Sequence, residues 1–416
     1  MNFANISIVM YGIKKCSGSC LYCSAASTMD YRSKANKTTF AMNPKKLKAK
    51  ILEFCKEPLD EGKKADGTSL NIDIWGGNPV ENFEPFKKVI DFCETQLKEF
   101  REVKLHTSGN GLELRDRDLC DYLIKHNIHY QLSHDGLGQW LRTGEIDPLY
   151  WEKTKDNIVE LARNGILDWI NCTLSARNPS FFDNIDYWKK WLIDNKLLGI
   201  DLTVKLNHIY DGTPPITKKW MFKDNAQIKK GEVIGDLCFH GETLQNYLHE
   251  FRKLAYILLT PGMVNDPLWR PFANYIVEQS KRYRMIKEAR EAGSCVAFQR
   301  GLTDKNFAID TKGEYCQCNL IDSSSKVKNP GAKQPDYCKD CKYKMLAECN
   351  PCGSECMPKK CEYHWWWAKT LEETFQVHEI INQLTQNNRQ NTKNNSCGCK
   401  KPKGNDPVFC VKNYSL

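Results

Sequence analysis

Strand-like and helix-like segments alternate through the first half of the chain, and this alternation limits the folds that it can adopt. The strand candidates are Ile6–Met10, Leu70–Trp75, Glu102–Thr107, Ile128–Ser133, Asp168–Leu174 and Asp201–Leu206. The helical candidates are Pro44–Lys56, Pro85–Phe100, Asp116–Lys125, Trp151–Asn164 and Asp183–Asp194. Because crossover helices join parallel strands, this order predicts an α/β fold with a parallel sheet. Six strand units are fewer than the eight of a closed barrel, so we expect a partial (βα)6 TIM-like barrel.

The sixth strand candidate predicts which face of the sheet is covered. Its apolar residues Leu202, Val204 and Leu206 alternate with the polar residues between them. Alternate side chains point to opposite faces of a strand. We therefore expect the apolar set to face the outer helices and the polar set to face the barrel interior.

Three cysteines follow the first strand within eight residues. Cys16, Cys20 and Cys23 have the spacing C-x3-C-x2-C, with small residues in the first interval. Thiolates are the ligands of iron–sulfur clusters, and three of them leave one iron of a four-iron cluster open to another ligand. A structural zinc site is the competing interpretation, but it needs a fourth ligand and usually shows paired C-x2-C motifs. No such partner lies near this loop in the sequence.

This loop resembles the signature of the radical S-adenosylmethionine (SAM) superfamily, with Tyr22 at its aromatic position. Gly76-Gly77-Asn78-Pro79 is similar to the GGEP motif of that family, except that Asn78 replaces the usual glutamate. The strand ends at Thr107-Ser108-Gly109 and Ser133-His134-Asp135-Gly136 are similar to further family motifs. The resemblance implies that the cofactor is contacted by Tyr22, Gly76, Gly77, Asn78, Pro79, Ser108, Ser133 and Asp135. Ordinary turn chemistry is the alternative for the Ser, Asp and Gly residues.

The resemblance also implies the cofactors and the chemistry. A [4Fe-4S] cluster bound by Cys16, Cys20 and Cys23 would reductively cleave SAM to methionine and a 5′-deoxyadenosyl radical. That radical would abstract a hydrogen atom from the substrate. A reductant such as flavodoxin or ferredoxin is the expected electron donor, and no residue is assigned as a catalytic acid or base.

A second group of cysteines lies in the C-terminal part of the chain. Its members are Cys295, Cys316, Cys318, Cys338, Cys341, Cys349, Cys352, Cys356 and Cys361. Their order resembles the SPASM domain of the same superfamily, which implies one or two auxiliary [4Fe-4S] clusters. By that pattern one cluster takes Cys295, Cys318 and Cys356 with Cys316 as a candidate fourth ligand, and the other takes Cys338, Cys341, Cys361 and either Cys349 or Cys352. A zinc ribbon built from Cys338, Cys341, Cys349 and Cys352 is the alternative.

These features predict four regions. Residues 1–215 form the radical SAM partial barrel, 216–292 a connecting helical region, and 293–370 the cysteine-rich SPASM-type domain. Residues 371–416 form a terminal helix and a polar tail that we expect to be disordered. The roles of Cys397, Cys399 and Cys410 in this tail are left open.

Composition favours a cytoplasmic protein and a metal-binding role for its 20 cysteines. The sequence has neither an N-terminal signal peptide nor an apolar stretch of roughly 18 residues, so we expect no membrane partner. Thiols stay reduced in the cytoplasm, where clustered cysteines more often bind metals than form disulfides. The net charge of +9 is concentrated partly in the tail, which keeps nucleic-acid contact open, although the main body has no dominant basic stripe.

The resemblance to radical SAM enzymes that carry a SPASM domain implies a function. Such enzymes commonly modify a ribosomally made peptide or protein by crosslinking, epimerisation or oxidation. Radical modification of a small metabolite or a nucleic acid is the second hypothesis. A non-enzymatic zinc-binding scaffold is the third. Iron content would separate the last from the first two, because a zinc scaffold would be colourless and contain no acid-labile sulfide.

Overall fold

The computed structural model describes the barrel strands and most of the helices around them. The described residues are 2–10, 16, 17, 20, 40–56, 68–208, 239, 241–260, 262–277, 279–280, 306–316, 366 and 369–376. The chain divides into two compact units, Met1–Glu372 and Glu373–Leu416. All of the architecture and site geometry below belongs to the first unit.

One sheet of eight strands forms the centre of this unit. The strands are β1 (Asn2–Val9), β2 (Thr68–Trp75), β3 (Glu102–Gly109), β4 (Ile128–Ser133), β5 (Leu167–Leu174), β6 (Thr203–His208), β7 (Asn306–Asp310) and β8 (Tyr315–Cys316). Their order across the sheet is β6-β5-β4-β3-β2-β1-β7-β8. All neighbouring pairs are parallel except β7 and β8, which are antiparallel. The sheet does not close, so the predicted partial barrel is confirmed.

Helices connect the parallel strands and cover one face of the sheet. They are α1 (Pro44–Lys56), α2 (Phe83–Gln96), α3 (Arg117–Lys125), α4 (Trp140–Thr143), α5 (Lys155–Arg163), α6 (Phe181–Asp194) and α7 (Gly241–Leu259). Side-chain caps start two of them, since the Asp116 carboxylate accepts from the Asp118 N–H and the Ser180 hydroxyl from the Asp183 N–H, both at 3.1 Å. These caps explain why α3 and α6 begin where they do.

The two faces of the sheet differ in polarity, as the alternation in the sequence predicts. In β6, Val204 and Leu206 are completely buried beneath the helices, whereas Lys205 is half-buried and Asn207 is exposed. The Lys205 ammonium lies 3.4 Å from the centre of the Trp169 ring on the neighbouring strand β5. The concave face of the open barrel is therefore polar and accessible at this edge.

Strands β7 and β8 extend the sheet beyond the six predicted strands. Strand β7 pairs in parallel with β1, with Ile6 opposite Phe307 and Ile8 opposite Ile309. These two strands come from the segment that we predicted to be the SPASM-type domain, and Cys316 is the last residue of β8. The domain boundaries themselves stay a prediction.

Among the residues that the structure describes, no helix is both long enough and apolar enough to cross a membrane.

Candidate active site

The loop after β1 lies against the carboxyl ends of the next three strands. The Ser17 N–H donates to both carboxylate oxygens of Glu81 at 2.8 and 3.0 Å. The Asn110 amide lies 3.9 Å from the Cys16 sulfur, and the Arg142 guanidinium lies 3.4 Å from the Cys20 sulfur. Glu81, Asn110 and Arg142 follow β2, β3 and β4 respectively. The structure thus brings two of the three predicted cluster cysteines to the edge of the sheet where active sites of parallel barrels lie.

Gly76 and Gly77 let the chain turn sharply at the end of β2. Both have positive φ angles, 126° and 55°. Gly76 also lies against the end of β1, because a Cβ atom there would be 2.6 Å from the carbonyl oxygen of Met10. The Met10 N–H in turn donates to the Trp75 carbonyl at 2.7 Å. This close approach holds the end of β1 against the turn after β2.

Gly76→Ala is expected to lower the free energy of unfolding by about 1–3 kcal/mol, because alanine disfavours this φ and its methyl group meets the Met10 carbonyl. Gly144→Ala is the matched control, since Gly144 has φ 68° but a methyl group added there would meet no atom within 4 Å. Chemical denaturation of both variants measures the difference. An equal loss in the two variants would show that the contact with Met10 is unimportant.

Asn78 links two carboxylates that the sequence analysis did not identify. Its side-chain amino group donates to Glu81 and to Glu113, each at 2.9 Å. Glu81 ends a single 3-10 turn, Pro79–Glu81, that begins directly after Asn78. The Asn78 side chain is 1% exposed, and its Oδ1 atom has no hydrogen-bond donor among the described residues. Asn78 is therefore placed at the centre of an acidic part of the site.

Glu113 is the buried member of this acidic part. It accepts hydrogen bonds from the Tyr130 hydroxyl and from Asn78. Burial raises the pKa of the Glu113 carboxyl above its ordinary value, although these two hydrogen bonds oppose the rise. The Tyr130 hydroxyl also accepts from the Gly111 N–H at 3.2 Å, which joins β4 to the turn after β3. The only signal in the sequence was a glutamate between Leu112 and Leu114, both of which are buried.

The donors around the cysteine loop are suited to an iron–sulfur cluster. Cys16 and Cys20 are both thiols in the structure and are half-buried at the rim of the barrel. Asn110 and Arg142 can donate hydrogen bonds to the cysteine sulfurs. Such hydrogen bonds tune the reduction potential of an iron–sulfur cluster. Cys23 and Tyr22 lie outside the described residues, as do Cys295, Cys318, Cys338, Cys341, Cys349, Cys352, Cys356 and Cys361.

Comparison with known proteins identifies the fold. No protein-family model matches the chain, and no curated protein matches its sequence. Native anSMEcpe with bound AdoMet and Cp18Cys peptide matches with a TM-score of 0.53 and 15% identity over 91% of this chain and 99% of that chain. Native anSMEcpe with bound AdoMet and Kp18Cys peptide matches with a TM-score of 0.52 and 13% identity over 90% and 99%. The chain has the fold of anSMEcpe.

In this fold, Ser108 and Ser133, the two serines predicted to contact the cofactor, lie on the less buried face of the sheet. Ser108 in β3 and Ser133 in β4 are both half-buried, whereas Thr107 and Leu132 beside them are buried against the helices. Because side chains alternate along a strand, both serines lie on the face of the sheet opposite Thr107 and Leu132. Their contacts with the cofactor stay a prediction.

Asp135 has an internal role in this fold. Its carboxylate is completely buried, and it accepts from the Arg142 guanidinium at 2.9 Å and from the Thr173 N–H at 3.0 Å. Arg142 also contacts Cys20, so Asp135 positions the guanidinium beside the predicted cluster. The predicted contact of Asp135 with the cofactor is not tested by this geometry and stays a prediction.

Next to Asp135 along the chain, the buried His134 is hydrogen-bonded to the half-buried Asp147. The Gly136 N–H donates to Nδ1 of His134 at 3.0 Å, so Nε2 carries the proton and donates to Asp147 at 2.8 Å. The Tyr187 hydroxyl donates to the other Asp147 oxygen at 3.1 Å. Burial alone would raise the pKa of Asp147, but the hydrogen bonds, chiefly that from His134, lower it below its ordinary value.

Asp147→Asn is expected to lower the free energy of unfolding by about 1–2 kcal/mol near neutral pH, because hydrogen bonds to a charged acceptor are lost. A carboxylate whose pKa is lowered in the folded state stabilises the protein at pH values above its ordinary pKa. This stabilisation is lost as the pH falls through the pKa of the folded state. The difference between wild type and variant should therefore shrink below the ordinary value of 3.8. Thermal unfolding as a function of pH measures it, and a difference that persists in acid would contradict the assignment.

Proposed function

We propose that the chain is a radical SAM enzyme that modifies a peptide or protein. Cys16 and Cys20, with Cys23, would hold a [4Fe-4S] cluster at the carboxyl edge of the barrel. The observation that carries this proposal is the contact of the cysteine loop with residues that follow β2, β3 and β4. A structural zinc site would not need that placement, whereas a cluster that acts on a ligand inside the barrel does.

The residues around the loop have distinct roles in this proposal. The bound cluster would supply the electron that cleaves SAM to methionine and the 5′-deoxyadenosyl radical. Arg142 places a positive charge 3.4 Å from the Cys20 sulfur, which stabilises the thiolate. Asp135 holds Arg142 in place through the buried ion pair. Ser108 and Ser133 present hydroxyl groups to the interior, where the ligand would lie.

The proposed substrate class is a peptide or protein. Support comes from anSMEcpe, a protein of similar fold whose structure contains a bound peptide. The match extends over 99% of the anSMEcpe chain. The auxiliary clusters predicted for the C-terminal cysteines belong to the same proposal. No described residue specifically favours a small metabolite or a nucleic acid.

Anaerobic reconstitution of the full chain with iron and sulfide tests the proposal. We expect a brown protein that forms 5′-deoxyadenosine from SAM in the presence of dithionite. Synthetic peptides containing cysteine or serine are then added, and a change in peptide mass that requires SAM would support the substrate class. A colourless protein that contains zinc, no acid-labile sulfide and no 5′-deoxyadenosine would overturn it.

A further inference from the structure

A row of four ionisable side chains crosses the less buried face of the sheet and takes no part in the site described above. Asp73, His106, His129 and Asp168 lie on the four neighbouring strands β2, β3, β4 and β5. Asp73 is the register partner of His106, and His106 is the register partner of His129. All four side chains are half-buried, whereas most residues beside them along the strands are buried. The row is therefore a continuous set of acid and base groups inside the open barrel.

The contacts within the row leave His106 and Asp73 without hydrogen bonds. The ring of His106 stacks on that of His129, with ring centres 4.9 Å apart, and Nδ1 of His129 lies 3.2 Å from a carboxylate oxygen of Asp168. Neither His106 nor Asp73 makes a hydrogen bond with a residue that the structure describes. Polar side chains inside proteins are normally hydrogen-bonded, so this imidazole and this carboxylate are suited to bind a ligand.

The surroundings of His106 keep its imidazole uncharged near neutral pH. Burial lowers the pKa of the imidazole below the ordinary value of 6.5, and Asp73 is the strongest of the charges that oppose this fall. Asp168 acts with Asp73, whereas His129 and Lys104 act with burial. A general base must be unprotonated at the pH at which it works, and His106 meets this requirement.

Asp73 completes the pair from the neighbouring strand. Burial raises the pKa of its carboxyl above the ordinary value of 3.8, and Asp168 acts in the same direction, whereas His106 and Lys205 oppose the rise. On its other side, the register partner of Asp73 on β1 is the uncharged Ser7. A proton that reaches His106 is therefore stabilised chiefly by Asp73.

The pair lies close along the strands to a predicted cofactor contact. Ser108 follows His106 by two residues in β3, so it lies on the same face, about 7 Å nearer the carboxyl end of the strand. Asp73 precedes Trp75, the last residue of β2, by the same interval. A substrate group held beside the cofactor at this end of the barrel can therefore approach the ring of His106.

We propose that Asp73 and His106 form an acid–base pair that takes a proton from the peptide substrate. This inference rests on the proposed function and narrows it to crosslinking or oxidation. In both reactions a hydrogen atom leaves a peptide carbon for the 5′-deoxyadenosyl radical. The carbon radical then forms a new bond to an oxygen, nitrogen or sulfur atom of the peptide, while one electron leaves to an iron–sulfur acceptor and the proton of that O–H, N–H or S–H group passes to His106. Epimerisation returns a hydrogen atom to the carbon and releases no proton, so it does not need this pair.

Carbon-13 labelling of the histidines in the full chain tests the pair without turnover. His106→Gln identifies the signal of His106, and the titration of that signal with pH is compared between wild type and Asp73→Asn. The midpoint should lie below 6.5 in wild type and fall further in Asp73→Asn, because the carboxylate that favours the proton is lost. Asp118→Asn, at an exposed position on α3, is the control and should leave the midpoint unchanged. Equal midpoints in wild type and Asp73→Asn would overturn the pairing.

Turnover then separates a catalytic role of His106 from a structural one. The probe is the cysteine or serine peptide that the reconstituted enzyme modifies. His106→Gln should yield about 100-fold less modified peptide per 5′-deoxyadenosine, the usual size of a general-base effect, whereas damage to the fold would lower both products together. Modification by wild type should also be lost as the pH falls through the pKa of His106, because protonated imidazole accepts no proton. His126→Gln is the control, since His126 pairs with Glu94 at the end of α3.

The outcomes distinguish the inference from the proposed function. A wild-type ratio of modified peptide to 5′-deoxyadenosine in His106→Gln would overturn the inference and leave the proposed function intact. An epimerised peptide as the product would do the same. Absence of 5′-deoxyadenosine with the wild-type holoenzyme would instead overturn the proposed function.

Discussion

Alanine at Cys16 or Cys20 is expected to reduce 5′-deoxyadenosine formation by at least about 100-fold, which exceeds the usual effect of changing a residue outside the ligand set. Each substitution removes one of the thiolates that we propose as cluster ligands, and a four-iron cluster held by two thiolates is not retained. Iron and sulfide analysis of the anaerobic protein should show the loss directly. The 5′-deoxyadenosine assay with SAM and dithionite measures its consequence.

Cys120→Ala provides the matched control for these variants. Cys120 is a buried thiol on α3 that lies 3.5 Å from the Leu114 carbonyl oxygen. Burial raises the pKa of this thiol to about 12, so it stays protonated near neutral pH and is not a cluster ligand. Product formation by Cys120→Ala should match wild type even if the variant is less stable. Full iron content and normal product in Cys16→Ala and Cys20→Ala would refute the cluster assignment.

Asp135→Asn is expected to lower the free energy of unfolding by about 3–5 kcal/mol, the second large effect. The substitution keeps the shape of the side chain but removes the negative charge that pairs with the buried guanidinium of Arg142. The Thr173 N–H also loses a charged acceptor. Urea denaturation of the protein without its cofactors measures the change in stability.

Asp201→Asn is the control for the Asp135 experiment. Asp201 pairs with Arg270 at 3.3 Å, but its side chain is 92% exposed. Water screens such a pair, so no measurable change in stability is expected. If both variants unfolded at the same urea concentration as wild type, the buried pair of Asp135 and Arg142 would not stabilise the fold.

The sequence predicted most regular elements because their patterns are local. Strand β4 and helix α1 match their predicted bounds residue for residue. Apolar and polar residues alternate in β4, and α1 repeats its buried residues Leu47, Ile51 and Cys55 every four positions. Helix α5 begins at Lys155 and not at Trp151, because the preceding residues form turns. Strand β7 was not predicted, since it has only five residues and its partner β1 lies about three hundred residues away in the chain.

Prediction was less complete for the site. The motifs identified Cys16 and Cys20 as members of a loop after the first strand, and in the structure their sulfurs lie beside Asn110 and Arg142. Their role as cluster ligands stays a prediction. Glu81, Glu113 and Arg142 were missed, because single charged residues in a sequence that is 27% charged carry no recognisable pattern. Their importance depends on which side chains they meet.

The sequence by itself determined the order of strands and helices, the polar face of the sheet and the set of residues at the strand ends. Periodicity and motif spacing contain this information because neighbouring residues along the chain specify it. Only the tertiary structure decided that Asn78 lies between Glu81 and Glu113, and that Asp135 is buried against Arg142. Those contacts depend on strand register and on side-chain burial, which arise when segments distant in sequence pack together.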